Sequence, residues 1–248
     1  MKLAATLAIL TFIAISWVLG VRLLALARAT RQTPELCMGA SLVLIGGCAY
    51  PLAIATSVAA ARGAAWGAWT FAACAWTVPL GVMATLLFVF RVFRADAPLV
   101  RAAMWVAGAL LLLTAVGQTR VAFGGLAPEA ARKANLLPAT VLLTVALLSY
   151  GWSTLESLRY WGLMRRRLVL GLADPVATNR FLLWAVAGAA MVVGAGANLL
   201  ASIATPLSVM HPLALLVTSV CGFTSSAALV LTFVPPARYL TWLRARTA

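Results

Sequence analysis

The sequence predicts an all-α membrane protein, a bundle of seven transmembrane helices. Three observations carry this. Seven apolar runs are each long enough to cross a bilayer, only 10% of residues are charged against 64% hydrophobic, and Lys and Arg gather on alternate connections. With a mean hydropathy of +1.02, the chain has more apolar surface than one soluble core can bury. Seven runs and their short connections fill the 248 residues, so residues 1–248 are expected to form a single membrane domain.

Spans fall near 3–27, 36–61, 65–91, 99–123, 136–160, 178–203 and 212–236, each covering the roughly 20 helical residues that the hydrocarbon layer requires. The first joins Lys2 to an apolar run and Ala25-Leu26-Ala27, a pattern that also fits a signal peptide. The run exceeds an h-region of about 7–15 residues, and Arg22 precedes the cleavage motif, so a transmembrane helix is favoured. The second span starts at Thr33-Pro34-Glu35, the fourth after Asp96 and Pro98, the fifth at Pro128-Glu129 and the sixth at Asp174-Pro175. Each of these acids is placed to cap or complement a helix N-terminus. The fifth pattern outruns the membrane: Tyr160 and Trp161 fit an aromatic belt, Arg165 to Arg167 fit an anionic lipid surface, and Gly171 fits a helix terminator. From 136 to 170 is about 52 Å of helix, well beyond a bilayer core of about 30 Å, so this helix is expected to project or to bend along the surface.

Fourteen of the nineteen Lys and Arg lie on the odd-numbered connections and the C-terminal segment, from Arg22, Arg28 and Arg31 to Arg238, Arg244 and Arg246. The other side holds Lys2, Arg62, Arg120, Arg132 and Lys133. By the positive-inside rule the N-terminus is outside and the C-terminus cytoplasmic, with anionic lipids facing the basic side.

Counting excludes most other classes. A net charge of +14 would point to nucleic acid in a soluble protein, but here the cations sit between apolar runs and no nucleic-acid partner is expected. Cys37, Cys48, Cys74 and Cys221 lie in apolar runs without a CxxC pair and read as small core residues. One histidine, His211, cannot supply a bis-His haem or a multi-His metal centre. GxSxG and Walker A motifs are missing, and neither Lys2 nor Lys133 lies in the seventh span, which disfavours a retinal Schiff base. No cofactor and no enzymatic activity are expected.

Polar groups inside the spans are the candidate ligand-binding residues: Tyr50, Thr77, Gln118, Arg120 and Asn198, with His211 at the outer start of the seventh span. Packing competes as an explanation, since Gly46, Gly47, Gly188, Gly194 and Gly196 permit close helix approach and Thr, Asn and Gln bond between helices. Arg120 can attract an anion together with Arg62 or His211, or snorkel to headgroups. Glu156 is the one acid without a capping role, near the inner end of the fifth span. Arg159 at i+3 and Tyr160 at i+4 are local partners, and Arg22 on the first span is a distant one. One reading is an interfacial ion pair; the other is a buried acid facing the bundle, where a charge marks a coupling site.

The sequence also admits a parallel 3+1+3 repeat with the fourth helix as linker. At one constant offset Cys74, Thr77, Thr85 and Arg91 meet Cys221, Thr224, Thr232 and Arg238, and Thr11 to Trp17 aligns with Thr144 to Tyr150.

The stretch GLADPVATNRFLLW (Gly171 to Trp184), together with FVPPARYLTWLRAR (Phe233 to Arg246), resembles bacterial seven-helix membrane domains that precede signalling output modules. The resemblance covers these two signatures and the seven-helix plan. It implies a sensory role in a bacterial inner membrane, with the segment after the last span passing the signal inward. This chain departs from the pattern in that no kinase or cyclase follows before Ala248, so the expectation is signalling through a separate cytoplasmic or membrane partner, with a small molecule as ligand. A small-solute transporter or facilitator built on the repeat, and an accessory membrane subunit, are the alternatives.

Overall fold

A computed structural model describes residues 2–94, 97–204 and 212–245; Asp96, His211 and Arg246 lie outside the described residues. Among these there are helices and no strand: α1 (Lys2–Thr30), α2 (Thr33–Ser41), a π-helical segment (Leu42–Ala49), α3 (Tyr50–Arg62), α4 (Gly67–Phe93), α5 (Pro98–Phe123), α6 (Pro128–Val169), α7 (Pro175–Ala204), α8 (Pro212–Phe233) and α9 (Ala237–Ala245). The α2, π and α3 pieces run on as one span. With α1 and α4 to α8 they make seven helices long and apolar enough to cross a membrane. The chain is a multi-pass membrane protein.

The spans form a ring in chain order. α1 packs on the second span, the second span on α4, α6 on α7, α7 on α8, and α8 back on α1. α4 also touches α6 directly, so the ring closes without α5, which lies outside against both. Large apolar side chains such as Trp105, Leu112 and Leu113 on α5 point outward and are exposed, where acyl chains take the place that water would have around a soluble protein. Inside, Leu19, Leu23, Leu42, Ala187, Ala228 and Leu229 join α1, the second span, α7 and α8. Ile45, Val82, Leu86, Leu111, Leu142 and Val145 join the second span, α4, α5 and α6.

Helix ends follow from local chemistry. Proline occupies the first turn of α2, α5 and α6, where its missing N–H costs nothing. Before α7, the Ala177 amide donates to Asp174 Oδ2 at 3.0 Å, the cap expected of that residue. Glu35 and Glu129 stand in the first turns of α2 and α6, and Glu129 also meets Lys133 at 3.3 Å in an exposed pair of little energetic weight. α6 is a single helix of 42 residues, about 63 Å long and twice the hydrocarbon thickness. Gly171 ends it with φ +70°: Gly171 N–H donates to Leu168 O at 3.0 Å and Leu172 N–H to Arg167 O at 2.8 Å, the paired bonds of a Schellman motif.

Small residues set the crossing of α1 and the second span. A Cβ placed on Gly39 would lie 3.0 Å from the Gly20 carbonyl oxygen, and one on Gly46 would overlap the Ser16 side chain. Near that crossing the helix widens. Pro51 has no N–H to return to the Gly47 carbonyl four residues earlier, and Gly47 O instead accepts from Trp17 Nε1 at 3.0 Å. The Ala49 carbonyl accepts from Cys74 Sγ at 3.6 Å. With an α-type bond already forfeited, the segment adopts the i→i+5 pattern. Trp17→Phe is expected to lower stability by about 1 kcal/mol, as the carbonyl loses its donor. Thermal unfolding in mild detergent checks this, and an unchanged midpoint would assign the segment to Pro51 alone.

Candidate functional site

Among the described residues, three cavities follow one another through the inside of the ring, each sharing lining residues with the next. At the arginine-rich end, a cavity of about 540 Å³ lies between α1, α2, α4, α7 and α8, and its wall includes Arg22, Gln32, Glu35, Arg180 and Trp184. Next comes a cavity of about 80 Å³ that includes Ser41, Thr85, Ser153 and Ser225 in its wall. At the opposite end a cavity of about 240 Å³ is lined by Tyr50, Cys74, Tyr150, Asn198, Thr218 and Cys221 among apolar residues. Met38, Phe88 and Trp184 border both the first and the second cavities; Phe12, Ile45, Tyr150 and Met191 border both the second and the third. α5 contributes to none of the three.

The structure brings Tyr50 and Asn198 into the same cavity. Tyr50 is held edge-on by Phe12, ring centroids 5.3 Å apart. Asn198 Nδ2 donates to Gly194 O at 2.9 Å and to Thr218 Oγ1 at 3.2 Å, which ties α7 to α8. The Tyr50 and Tyr150 hydroxyls make no hydrogen bond to any described residue, so both are free to bind a guest. Chemically the cavity suits a small neutral molecule with hydrogen-bonding groups: two phenols, an amide and two thiols in an apolar wall, with no charged group among the described residues that line it. Thr77 stands on the same helix as Cys74 and Val78, which do reach the cavity, but its hydroxyl donates to Cys74 O at 3.1 Å. Gln118 is buried in α5, and Arg120 is exposed in the last turn of that helix. Neither lines a cavity described above. His211 lies outside the described residues.

Glu156 is buried, with 7% of its side chain exposed, and its main partner lies 62 residues away in sequence. Arg94 Nε, just past the end of α4, donates to Glu156 Oε1 at 2.6 Å. Trp152 Nε1 donates to the same oxygen at 3.4 Å. Arg159 Nη1 stands 3.9 Å from Oε2, too long for a hydrogen bond. Arg22 lies elsewhere, in the wall of the 540 Å³ cavity with Glu35 and Arg180. Sequence spacing reached Arg159; nothing in the sequence identified Arg94, because the pairing depends on how α4 meets α6.

Beside this pair five aromatic side chains close a loop. Phe88 meets Phe93 (6.3 Å between centroids), Phe93 meets Tyr160 (4.9 Å), Tyr160 stacks on Phe181 (5.7 Å), Phe181 meets Trp184 (5.6 Å) and Trp184 returns to Phe88 (5.4 Å). Such contacts contribute about 0.5–1.5 kcal/mol each beyond area burial, so α4, α6 and α7 are fastened together at the basic end. Tyr160, expected at the lipid interface, belongs to this interior cluster.

The two segments Gly171 to Trp184 and Phe233 to Ala245 meet in space. Asn179 Nδ2 in the second turn of α7 donates to Tyr239 OH on α9 at 2.7 Å, and Tyr239 stacks on Trp242 with centroids 5.8 Å apart. α7 therefore touches α9 at its start and lines the Tyr50 cavity near its end. Comparison of the chain with family models, with curated proteins and with solved structures gives no match.

Proposed function

We infer that the protein is a sensor of a bacterial plasma membrane, with its basic end in the cytoplasm, taking a small neutral ligand in the Tyr50–Asn198 cavity. The observation that carries this reading is the reach of α7. Asn198 stands in the ligand cavity, and Asn179, about 28 Å away along the same helix, holds Tyr239 of α9. A tilt or slide of one packed helix transmits occupancy over that distance without unfolding anything. The charge asymmetry supports the orientation, and the resemblance of Gly171 to Trp184 and of Phe233 to Arg246 to seven-helix sensory domains supports the direction of signalling, through a separate partner. Hydrogen exchange on the full chain in lipid nanodiscs tests it. Asn198→Leu is expected to change protection of residues 237–245 by severalfold, and Tyr239→Phe to abolish that response. An Asn198→Leu protein that folds with α9 protection unaltered would sink the sensor reading.

A second reading, a facilitator of small neutral solutes, is favoured by the succession of three cavities through the inside of the ring. Solute-driven swelling of proteoliposomes above the protein-free rate, with α9 unresponsive, would select it.

A further inference from the structure

We propose that the 540 Å³ cavity at the basic end is a binding site for an acidic amphiphile, a molecule with a sulfonate, carboxylate or phosphate head and an apolar or aromatic body. This site is separate from the Tyr50–Asn198 cavity and is the same whether the protein senses or transports.

Charge supplies the first argument. Arg22 lies eight residues before the end of α1, about 12 Å in from that helix end, and Arg180 lies five residues into α7, about 8 Å from its start. Both line the cavity, and neither has an ion-pair partner among the described residues. A guanidinium set that far back from a helix end is costly in hydrocarbon unless it faces a polar cavity or a partner. The single acid among the described residues of the wall, Glu35, accepts a hydrogen bond from the Thr30 hydroxyl, so two cations stand against one carboxylate there. Asp174 already caps the start of α7, which leaves the attraction with the guanidiniums.

Shape supplies the second. Beyond the arginines the wall turns aromatic, with Phe88, Phe181, Trp184 and Phe233. Trp184 Nε1 is buried without a hydrogen-bond partner among the described residues, an unmet donor at the border with the next cavity. The volume falls within the roughly 300–1,000 Å³ of small-molecule sites. A guest with its head on Arg22 and Arg180 and its body against Phe88 and Trp184 satisfies both halves, and planar guanidiniums favour oxyanions of forked geometry.

The test uses the full chain in phosphatidylcholine nanodiscs, with empty nanodiscs as the blank, and naphthalene-2-sulfonate as the probe in titration calorimetry. Saturable binding is expected, with naphthalene-2-sulfonamide, which lacks the charge, weaker by about tenfold or more. Arg22→Gln and Arg180→Gln are each expected to weaken the sulfonate by about tenfold, Arg22→Lys to weaken it less because the charge stays while the fork is lost, and Glu35→Gln to strengthen it. The last variant gains rather than loses, so it separates a binding effect from a folding defect. Native mass spectrometry then distinguishes the sources. Retained phosphatidylglycerol that displaces the probe assigns a lipid headgroup, and a probe that lipid does not displace assigns a soluble anion. No binding of either, equal binding of the sulfonamide, or affinity indifferent to both arginines would overturn the proposal.

Discussion

Arg94→Leu is expected to destabilise the folded bundle by about 2–4 kcal/mol, because it leaves the Glu156 carboxylate buried with only Trp152, among the described residues, within hydrogen-bonding reach. Stranding one member of a fully buried pair costs about 3–5 kcal/mol; the lower figure reflects Arg94, whose side chain is 39% exposed. The reverse change is milder. Glu156→Gln is expected to cost about 1 kcal/mol, since Gln still accepts from Arg94 and Trp152 and the guanidinium reaches water by snorkelling. Arg94→Leu combined with Glu156→Leu should recover most of the loss, as the charge goes with its partner. Arg159→Gln should be nearly silent, its side chain being 58% exposed and 3.9 Å from the carboxylate. Unfolding of the four variants in mixed detergent micelles measures the order. Equal losses for Arg94→Leu and Glu156→Gln would show that the pair is not held in a dry site.

The other large effect is expected at Gly46. Gly46→Leu should fail to assemble, and Gly46→Ala should lose about 2–3 kcal/mol, since even one methyl overlaps the Ser16 side chain and α1 must move away to admit it. A glycine in an open position sets the scale. A Cβ on Gly151 meets nothing within 4 Å, so Gly151→Ala should be neutral or stabilising by about 0.5–1 kcal/mol through the backbone term alone. Melting temperatures of the two alanine variants give the comparison; a Gly46→Ala protein as stable as Gly151→Ala would mean that the α1 crossing is not tightly packed.

Seven spans were legible because the hydrocarbon layer demands length and apolarity, and both are linear properties of sequence. So was the singularity of Glu156, since the other acids stand beside prolines where helices begin. Its partner was not, because Arg94 reaches Glu156 only through the meeting of α4 and α6, which no spacing rule encodes. Tyr50 and Asn198 were visible as polar residues in apolar runs, and the ring of helices brings them together. The same reasoning could not see that α5 lies outside the ring, so it gave Gln118 and Arg120 the same weight as Tyr50. That Trp17 takes up the carbonyl left free by Pro51 depends on the crossing of α1 with the second span, and no local pattern encodes it. Phe88, Phe93 and Phe181 carry no sequence signal that sets them apart from other apolar residues; only the fold joins them to Tyr160 and Trp184.

The widened turn at Leu42–Ala49 governs the direction of a whole wall. From Met38 onward the cavity-lining residues of the second span recur at steps of four, Met38, Leu42, Gly46 and Tyr50 in one file and Ser41, Ile45, Ala49 and Ala53 in another. In an unbroken α-helix, four residues overshoot a full rotation by about 40°, and three such steps would carry Tyr50 roughly a third of the way round the axis from Met38. The i→i+5 segment absorbs that overshoot. Both files therefore run straight, and one helix faces all three cavities from the arginine-rich mouth to the Tyr50 chamber without twisting out of the bore.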